Sequence, residues 1–352
     1  MTPRIPVAVL ASTGSVGQRF VQLLDRHPWF EVVALTGSER LAGQPYGQAC
    51  KWVLPEAMPG WAAEMFLQPS EPGLVGAARL AFSALPSEQA YSIEPLFARA
   101  GLAVCSNASA FRQAADVPLL LPEVNPEHIR LVDRQRRERG WSGCIITNPN
   151  CTSTGLTVAL KALEDAFGLR RVFAVSLQAL SGAGYPGVAS LDVIDNVIPW
   201  INGEEEKVEL EPRKMLGRLE DGQVVLAEAL FSAHTNRVAV SDGHLVCASV
   251  ELAQPTSPVE AEQVLSAYTA PPASRDLPSA PRPPILVRSE PDRPQPRHDR
   301  MTGKGMTTVV GRVRPDPLFH LKFAVLSHNT IRGAAGGSIY NAELLVKEGL
   351  LV

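Results

Sequence analysis

The sequence predicts an α/β protein with an N-terminal parallel sheet, followed by a second domain of α+β type with a mixed sheet. In the first half, short apolar runs alternate with amphipathic helical stretches, which is typical of a parallel sheet with right-handed crossovers. In the second half, longer strand-like runs follow one another with fewer helices between them, which indicates a flatter, mixed sheet.

The parallel sheet is expected to take its strands from short apolar runs that end in turn residues. These runs lie at 5–12, 30–38, 78–85, 102–109 and 144–149. Helical stretches follow the first and the third run, so the chain repeats a strand–helix–strand unit. A sheet built in this way is buried on both faces.

The mixed sheet is expected to use four runs, at 171–180, 245–254, 307–316 and 320–328. Helices are predicted between 186 and 217 and around 258–269. The stretch 271–299 is rich in Pro and Arg; we interpret it as an extended surface segment, with a disordered linker as the alternative. The amphipathic tail is expected to return to the first domain. The predicted domains are therefore 1–150 with 330–352, and 151–329.

Composition excludes several classes of protein. The chain has 352 residues, of which 45% are hydrophobic and 20% charged, and its net charge is -3. This charge predicts no basic surface of the kind that binds nucleic acid or an anionic membrane. No apolar run is long enough to cross a bilayer, and the N-terminus lacks a signal-peptide pattern. The five cysteines are scattered and odd in number. They fit a reducing cytoplasm and predict no metal site.

The turn after the first strand has features of a dinucleotide-binding loop. Glycines let backbone amides approach a pyrophosphate, and the following helix N-terminus adds partial positive charge. Ala11 stands where the fingerprint has its first glycine, so a simple tight turn is the alternative. On the first interpretation the parallel sheet is of Rossmann type. The predicted cofactor contacts are then Thr13, Gly14, Ser15, Val16 and Gly17.

The end of the second strand indicates which cofactor is preferred. NAD-specific proteins usually hold a carboxylate there, which binds the ribose hydroxyls. This chain has Ser38 and Arg40, which can bind a 2′-phosphate, with Glu39 between them. We therefore predict NADP(H). A solvated turn is the alternative role of Ser38 and Arg40.

Cys151 combines features that favour a reactive thiol. The stretch TNPNCTSTG places it just before an apolar helical run, where unsatisfied N–H groups and the helix dipole favour a thiolate. Asn150 can stabilise a developing oxyanion with its side-chain amide. By contrast, Cys105, Cys144 and Cys247 lie in apolar strand-like runs and are predicted to be buried core thiols.

His244 is the predicted proton-transfer partner of this thiol. It ends the string HTNRVAVSDGH, in which Asp242 and Gly243 form a tight turn that can aim the imidazole into a cleft at the start of a strand. A histidine with a pKa near neutrality can take the thiol proton and later return it. A hydrogen-bonded structural histidine is the alternative.

Seven motifs carry a family resemblance over residues 5 to about 345: ASTGSVGQ, SNASAFR, NPNCTSTG, SGAGYPG, GEEEK, TNRVAVSDGH and RGAAGGS. Together they resemble aspartate-β-semialdehyde dehydrogenases, most closely the branch found in archaea and fungi. The resemblance implies a second domain that serves catalysis and dimerisation. It also implies NADPH-dependent reduction of L-aspartyl 4-phosphate to the semialdehyde through a cysteine thioester, in the biosynthesis of Lys, Thr, Met and Ile.

The resemblance implies roles for individual residues. Cys151 would be the nucleophile, His244 the acid–base residue that shuttles the proton, and Gln178 the residue that orients the substrate. Arg237 would bind the substrate carboxylate, Glu204 its amino group, and Arg112 and Lys207 its phosphate. Ser181, Gly182 and Gly337 would lie beside the nicotinamide.

Spacing gives independent support for two of these residues. Glu204 and Lys207 are three apart, so a helix places both on one face. Asn202 is the predicted N-cap of this helix, and Pro212 is expected to end or kink it. An ion pair on a solvated helix is the alternative role of Glu204 and Lys207.

Other functions stay open on the sequence. Malonyl-CoA or N-acetylglutamyl phosphate could be the acyl donor, although an acetylated amine would not need the charge of Glu204. A nucleotide-sensing protein without catalysis is an alternative of another class, against which the presence of both Cys151 and His244 argues. Beyond the small-molecule substrate and inorganic phosphate, the expected partner is a second copy, in a homodimer or homotetramer.

Overall fold

The computed structural model describes residues 4–351, which form two large β-sheets, a small hairpin and the helices around them. The strands are β1 (Ile5–Leu10), β2 (Phe30–Leu35), β3 (Leu80–Ser83), β4 (Ala103–Ser106), β5 (Cys144–Thr147), β6 (Leu169–Gln178), β7 (Arg218–Glu220), β8 (Gln223–Val225), β9 (Leu230–Arg237), β10 (His244–Leu252), β11 (Ile285–Arg288), β12 (Thr308–Pro315) and β13 (Leu321–Ser327). The α-helices are α1 (Ser15–Leu23), α2 (Tyr46–Ala49), α3 (Gly60–Glu64), α4 (Ser87–Arg99), α5 (Leu131–Arg139), α6 (Cys151–Phe167), α7 (Ser190–Val193), α8 (Glu204–Met215), α9 (Pro258–Ala267), α10 (Pro296–Asp299) and α11 (Gly336–Lys347). A π-helical turn, Ile331–Ala335, precedes α11.

The N-terminal sheet is parallel throughout, in the order β2-β1-β3-β4-β5. Val7 and Phe82 face one core together with Phe20 of α1 and Tyr340 of α11. The opposite face forms a separate core, in which Val104 packs with residues of α4. Burial on both faces explains why these strands are continuous apolar runs. The predicted parallel sheet is confirmed, and the C-terminal helix returns to it.

The second sheet is mixed, in the order β11-β12-β13-β10-β6-β9, with parallel pairs β6–β9 and β11–β12 and antiparallel neighbours elsewhere. Helices α6, α8 and α9 share a core with only one of its faces. Along β10, Val246 and Ala248 point into this core, whereas Cys247 between them is exposed on the open face. The prediction that Cys247 is a buried core thiol is therefore wrong, because strand side chains alternate between faces. The predictions for Cys105 and Cys144 are confirmed.

Several local elements differ from the sequence expectations. Strand β9, the β7–β8 hairpin and α5 were not predicted. The N-cap of α8 is Gly203, with φ 65°, and not Asn202. Helix α8 also continues past Pro212 to Met215, because a proline near a helix C-terminus removes only one late hydrogen bond. The segment around Ile285 is extended as expected and pairs with β12.

The two sheets present the predicted site residues at facing edges. The carboxyl ends of parallel strands meet at one edge of a sheet, and the glycine loop after β1 and the cysteine turn after β5 lie there. In the second sheet, Gln178 at the end of β6 pairs with Arg237 at the end of β9. His244 begins β10 opposite Ser327, at the same edge. Within residues 4–351, no helix has the length and apolar character needed to span a membrane.

A buried ion pair anchors the π-helical turn beside this edge, and it gives a stability prediction. Arg332 donates to Glu123 through Nε and Nη2, at 2.9 and 2.6 Å, and both side chains are almost fully buried. Replacing Glu123 with Gln leaves the guanidinium charge uncompensated. We expect urea unfolding to show a loss of about 3–5 kcal/mol. The same change at Glu31, whose pair with Arg4 is exposed, should cost less than about 1 kcal/mol. Equal losses at both positions would contradict this account.

Candidate active site

A cavity of about 310 Å³ lies where the two sheet edges meet. Its wall brings together residues that the sequence analysis selected from distant parts of the chain. These are Ser15, Val16, Arg112, Asn150, Cys151, Ser181, Gly182, Glu204 and Lys207. The wall also includes Asn329, Gly333 and Ala334, which the sequence analysis did not select.

Cys151 lines this cavity and contacts His244, which is buried and does not itself line the wall. The Cys151 Sγ atom lies 3.2 Å from His244 Nε2. Cys151 is the first residue of α6, and Asn150 is its N-cap: the Asn150 side-chain oxygen accepts from the N–H groups of Thr152 and Ser153 at 2.9 and 3.2 Å. The predicted placement of the cysteine at a helix N-terminus and the predicted aim of the imidazole are thus both confirmed.

The surroundings of His244 determine where its proton resides. The backbone N–H of Ala179 donates to His244 Nδ1 at 3.0 Å, so Nδ1 must be the unprotonated nitrogen. A neutral ring then carries its hydrogen on Nε2, facing the sulfur. Burial, with added repulsion from Arg237 and His328, lowers the pKa of His244 to about 3. The expectation of a pKa near neutrality is therefore wrong, and the ring is a neutral hydrogen-bond donor towards Cys151.

The thiol is also neutral in the free enzyme. Burial, reinforced by the negative charge of Glu204, raises the pKa of Cys151 to about 12; Arg112, Arg237 and the helix N-terminus oppose this shift without reversing it. The expected resting thiolate is therefore wrong, because desolvation of the sulfur exceeds the stabilisation by the helix terminus. The proton must leave during the reaction.

Glu204 is the centre of a hydrogen-bond network on the cavity wall. Its Oε1 atom accepts from Lys207 Nζ at 2.8 Å, and its Oε2 atom accepts from Asn150 Nδ2 at 2.8 Å and Gln178 Nε2 at 3.4 Å. Burial disfavours the carboxylate, but Lys207 and these amides outweigh it and lower the pKa of Glu204. The carboxylate is thus charged, and one hydrogen of the Asn150 amide is already committed to it.

Two buried arginines flank the nucleophile. Arg237 donates to the carbonyl of Ala179 at 2.6 Å, and it lies behind Gly182, where an added Cβ would come within 2.9 Å of the guanidinium. Arg112 lies on the cavity wall, and its Nε atom is buried without a hydrogen-bond partner among the described residues. A guanidinium on a cavity wall is a natural ligand for an oxyanion.

The glycine loop has the geometry that a pyrophosphate requires. Ala11, which replaces the first glycine of the fingerprint, adopts a left-handed φ of 55°. A Cβ at Gly17 would lie 2.4 Å from the Ala11 carbonyl oxygen, so only glycine allows α1 to pack this close to β1. Ser15 and Val16 begin α1, where N–H groups have no intrahelical partner. Thr13 and Gly14 complete the turn but do not line the cavity.

The other predicted cofactor residues fall into two groups. Ser38 and Arg40 are exposed just beyond β2, whose end is bonded to the glycine loop through Ser12 and Thr36. Gly337, predicted to close the nicotinamide side, is instead buried in α11, where an added Cβ would lie 2.5 Å from Asn148 Oδ1. The RGAAGGS stretch is helical, and it is its earlier residues Gly333 and Ala334 that line the cavity.

Sequence reasoning missed other residues that hold the site together. Glu211 and Lys214 continue the series Glu204–Lys207 at three- and four-residue intervals, which places all four on one face of α8. Charged residues at the spacing expected for an apolar stripe were the available signal. Asn329 bonds both Ser181 Oγ and the Gly243 amide, at 2.8 Å each, and nothing in its local sequence indicated this.

Comparisons with known proteins agree over the whole chain. Residues 6–132 match the family described as semialdehyde dehydrogenase, NAD binding domain, and residues 160–332 match semialdehyde dehydrogenase, dimerisation domain. Proteins named aspartate-semialdehyde dehydrogenase from Archaeoglobus fulgidus and Schizosaccharomyces pombe are 50% and 45% identical to this chain. These matches cover 99% and 98% of this chain, and 100% and 99% of the relatives.

Solved structures give the same result. Aspartate semialdehyde dehydrogenase with NADP from Candida albicans is 41% identical, with a TM-score of 0.91 over 99% of this chain and 100% of that one. Aspartate semialdehyde dehydrogenase II complexed with ASA, from Vibrio cholerae, is 26% identical, with a TM-score of 0.76 over 99% of both chains.

Proposed function

The chain belongs to the aspartate-semialdehyde dehydrogenase family, and on that premise we propose that it reduces L-aspartyl 4-phosphate to L-aspartate 4-semialdehyde and phosphate through a thioester on Cys151. It is an NADP-dependent oxidoreductase. The proposed product feeds the biosynthesis of lysine, threonine, methionine and isoleucine. The observation that carries the proposal is the 3.2 Å contact between Cys151 Sγ and His244 Nε2 at a cavity lined by cationic groups.

The chain's residues fit NADP(H). The loop Thr13–Gly17 would hold the pyrophosphate, since α1 passes close enough to β1 only because residue 17 is glycine. Ser38 and Arg40 would hold the 2′-phosphate, and Ser181 and Gly182 would lie on the nicotinamide side. The chemistry that NADPH supplies when bound is the hydride that reduces the acyl group.

The substrate's charged groups fit the charges on the cavity wall and that of Arg237, which lies beside Gly182 of the wall. We assign its carboxylate to Arg237 and its amino group to Glu204, which is held in the charged state. The phosphate goes to Lys207 and Arg112, whose side chains both line the cavity. An N-acetylated substrate would not supply the cationic amino group that Glu204 is proposed to bind, which disfavours that alternative.

The first half-reaction begins from a neutral thiol. The Cys151 sulfur bonds to the acyl carbon, the carbon–oxygen bond to phosphate breaks, and the thiol proton leaves with the phosphate. His244 donates Nε2–H to the sulfur as charge develops on it. Asn150 is proposed to use its remaining amide hydrogen for the oxyanion, and Gln178 to orient the acyl group. This step is balanced in protons without an imidazolium.

In the second half-reaction the sulfur is the leaving group. After reduction of the acyl carbon, the tetrahedral species collapses, the carbon–sulfur bond breaks and the aldehyde forms. Cys151 leaves as a thiolate, which the Nε2–H of His244 stabilises until a proton from solvent restores the thiol. One proton is therefore taken up per turnover, and His244 acts as a hydrogen-bond donor to the sulfur.

We also propose an assembly and a location. The open face of the mixed sheet, where Cys247 and the half-buried Leu245 lie, is the surface that a second copy would cover in a homodimer or homotetramer. The free cysteines fit the reducing cytoplasm. The proposed domains are 1–150 with 330–352 for the dinucleotide, and 151–329 for catalysis and dimerisation.

A single assay tests the substrate assignment. NADP reduction is measured with aspartate semialdehyde and phosphate, and in parallel with malonate semialdehyde and CoA, using Cys151→Ala as the inactive control. We expect turnover only with the first pair. Turnover restricted to the second pair would make the acyl donor a CoA thioester while leaving the thioester chemistry in place.

The cofactor assignment gives a separate prediction. Arg40→Ala should raise the KM for NADP about tenfold and leave the KM for NAD unchanged, because a charged hydrogen bond to the 2′-phosphate is lost. The exposed Arg99, at the end of α4, offers a matched control in which the same change should have no effect. An equal rise for both cofactors at Arg40 would remove it from the 2′-phosphate site.

A further inference from the structure

One buried carboxylate joins the phosphate side of the cavity to the nucleophile. Glu211 is 1% exposed, and its two oxygens have different partners. Its Oε1 atom accepts from Arg112 Nη1 at 2.9 Å. Its Oε2 atom accepts from the backbone N–H of Asn150 at 2.6 Å. Arg112 and Asn150 are far apart in sequence, so the covalent chain does not set the distance between them. Glu211 sets it by contacting both residues.

Both partners of Glu211 control atoms that react. Asn150 directly precedes Cys151 and caps α6, so the position of its backbone sets the direction of the sulfur. Arg112 is held at Nη1 by Glu211 and at Nη2 by the carbonyl of Asn107, at 2.7 Å. Its Nε is buried without a hydrogen-bond partner among the described residues, and the side chain as a whole lines the cavity.

The main chain of Arg112 is held by the same helix. One turn after Glu211, Lys214 donates to the carbonyls of Arg112, Ala114 and Val117 at 2.7, 2.8 and 2.9 Å. Helix α8 therefore fixes the backbone of the arginine through Lys214 and its guanidinium through Glu211.

We infer that Glu211 is a positioning residue that aligns the phosphate-binding guanidinium of Arg112 with the Cys151 sulfur, so that the sulfur attacks the acyl carbon while the leaving phosphate is held. The inference rests on the proposed function. Glu211 does not contact the substrate; it acts through Arg112 and Asn150. Replacing Glu211 with Gln leaves one acceptor oxygen for these two donors, so the Arg112 guanidinium or the Asn150 N–H loses its partner and meets an amide NH2 instead.

The test measures phosphate-dependent NADP reduction with aspartate semialdehyde, varying each substrate in turn, for Glu211→Gln. We expect the KM for phosphate to rise at least about tenfold, with a lower kcat, while the KM for the aldehyde changes less than about threefold. Glu209→Gln is the matched control on the same helix, since Glu209 bonds the Ala233 amide of β9, away from the cavity. It should leave both KM values unchanged.

A double variant separates alignment from folding. In the background of Arg112→Lys, Glu211→Gln should add little to the KM for phosphate, because the coupled partner is already altered. If Glu211→Gln does not fold, Glu211→Asp keeps the charge but is too short to span both partners, and should shift the same KM by a smaller factor. Additive effects, or a folded variant with an unchanged KM for phosphate, would overturn the inference.

Failure of the inference is distinct from failure of the proposed function. Inorganic phosphate should protect Cys151 from iodoacetamide, as read by mass spectrometry of its peptide. Glu211→Gln should raise the half-protecting concentration about tenfold. Protection that is unchanged by the variant contradicts the role of Glu211. A wild-type enzyme that is protected but does not turn over aspartate semialdehyde contradicts the proposed substrate instead.

Discussion

Cys151→Ser is expected to lower kcat at least about 10⁴-fold in the phosphate-dependent reaction, the largest effect of any single change considered. Serine is close in size, so the α6 N-terminus and the contact with His244 should persist. A hydroxyl is a weaker nucleophile and a poorer leaving group than a thiol, and the desolvated site that raises the pKa of the thiol disfavours an alkoxide still more. Both half-reactions are therefore blocked.

The matching control is Cys247→Ser, on the open face of the mixed sheet. Its activity should equal that of the wild type. NADP should bind to Cys151→Ser with unchanged affinity, as measured by fluorescence titration or calorimetry, because the glycine loop is intact. If Cys151→Ser kept more than about one-hundredth of the wild-type rate, the thioester would have to be abandoned.

His244→Ala is expected to have the second largest effect, a loss of about 10²–10⁴-fold in kcat. Since the neutral ring donates Nε2–H to the sulfur and Nδ1 is occupied by the Ala179 N–H, the histidine works without a charged state. His244→Gln, whose amide can place an N–H near the same position, should retain clearly more activity than His244→Ala. Equal losses in the two variants would favour proton abstraction by the imidazole.

The pH dependence of Cys151 labelling tests the protonation state of His244 separately. A histidine is charged below its pKa, and that of His244 is lowered to about 3, so no ionisation of this ring occurs between pH 5 and pH 9. The thiol has its pKa raised to about 12, so the thiolate fraction in the free enzyme rises about tenfold per pH unit over this range. Iodoacetamide labelling of Cys151 should therefore rise steadily with pH, without a plateau near neutrality. A plateau at pH 6–7 would indicate an ion pair of thiolate and imidazolium.

Much of the fold could be predicted from the sequence because the determining signals are local. A parallel strand buried on both faces is a short apolar run, and the turn TNPNCTSTG contains both the cap and the first residue of α6. The same holds for the tight turn before His244, where Gly243 adopts a φ of 98°. Strand β9 escaped prediction because its sequence, LFSAHTNR, mixes polar and apolar residues at the edge of a sheet.

The sequence by itself determined most of the element types, the tight turn between β1 and α1, and the identity of the thiol and the imidazole as a candidate pair. Only the tertiary structure decided their protonation states, the exposure of Cys247, the displacement of Gly337 from the cavity and the bridge made by Glu211. The reason is physical: a pKa depends on desolvation and on charges that arrive from other elements, and Cys151 and His244 are 93 residues apart. Local periodicity carries no information about which distant groups remove water from a side chain or supply its hydrogen bonds.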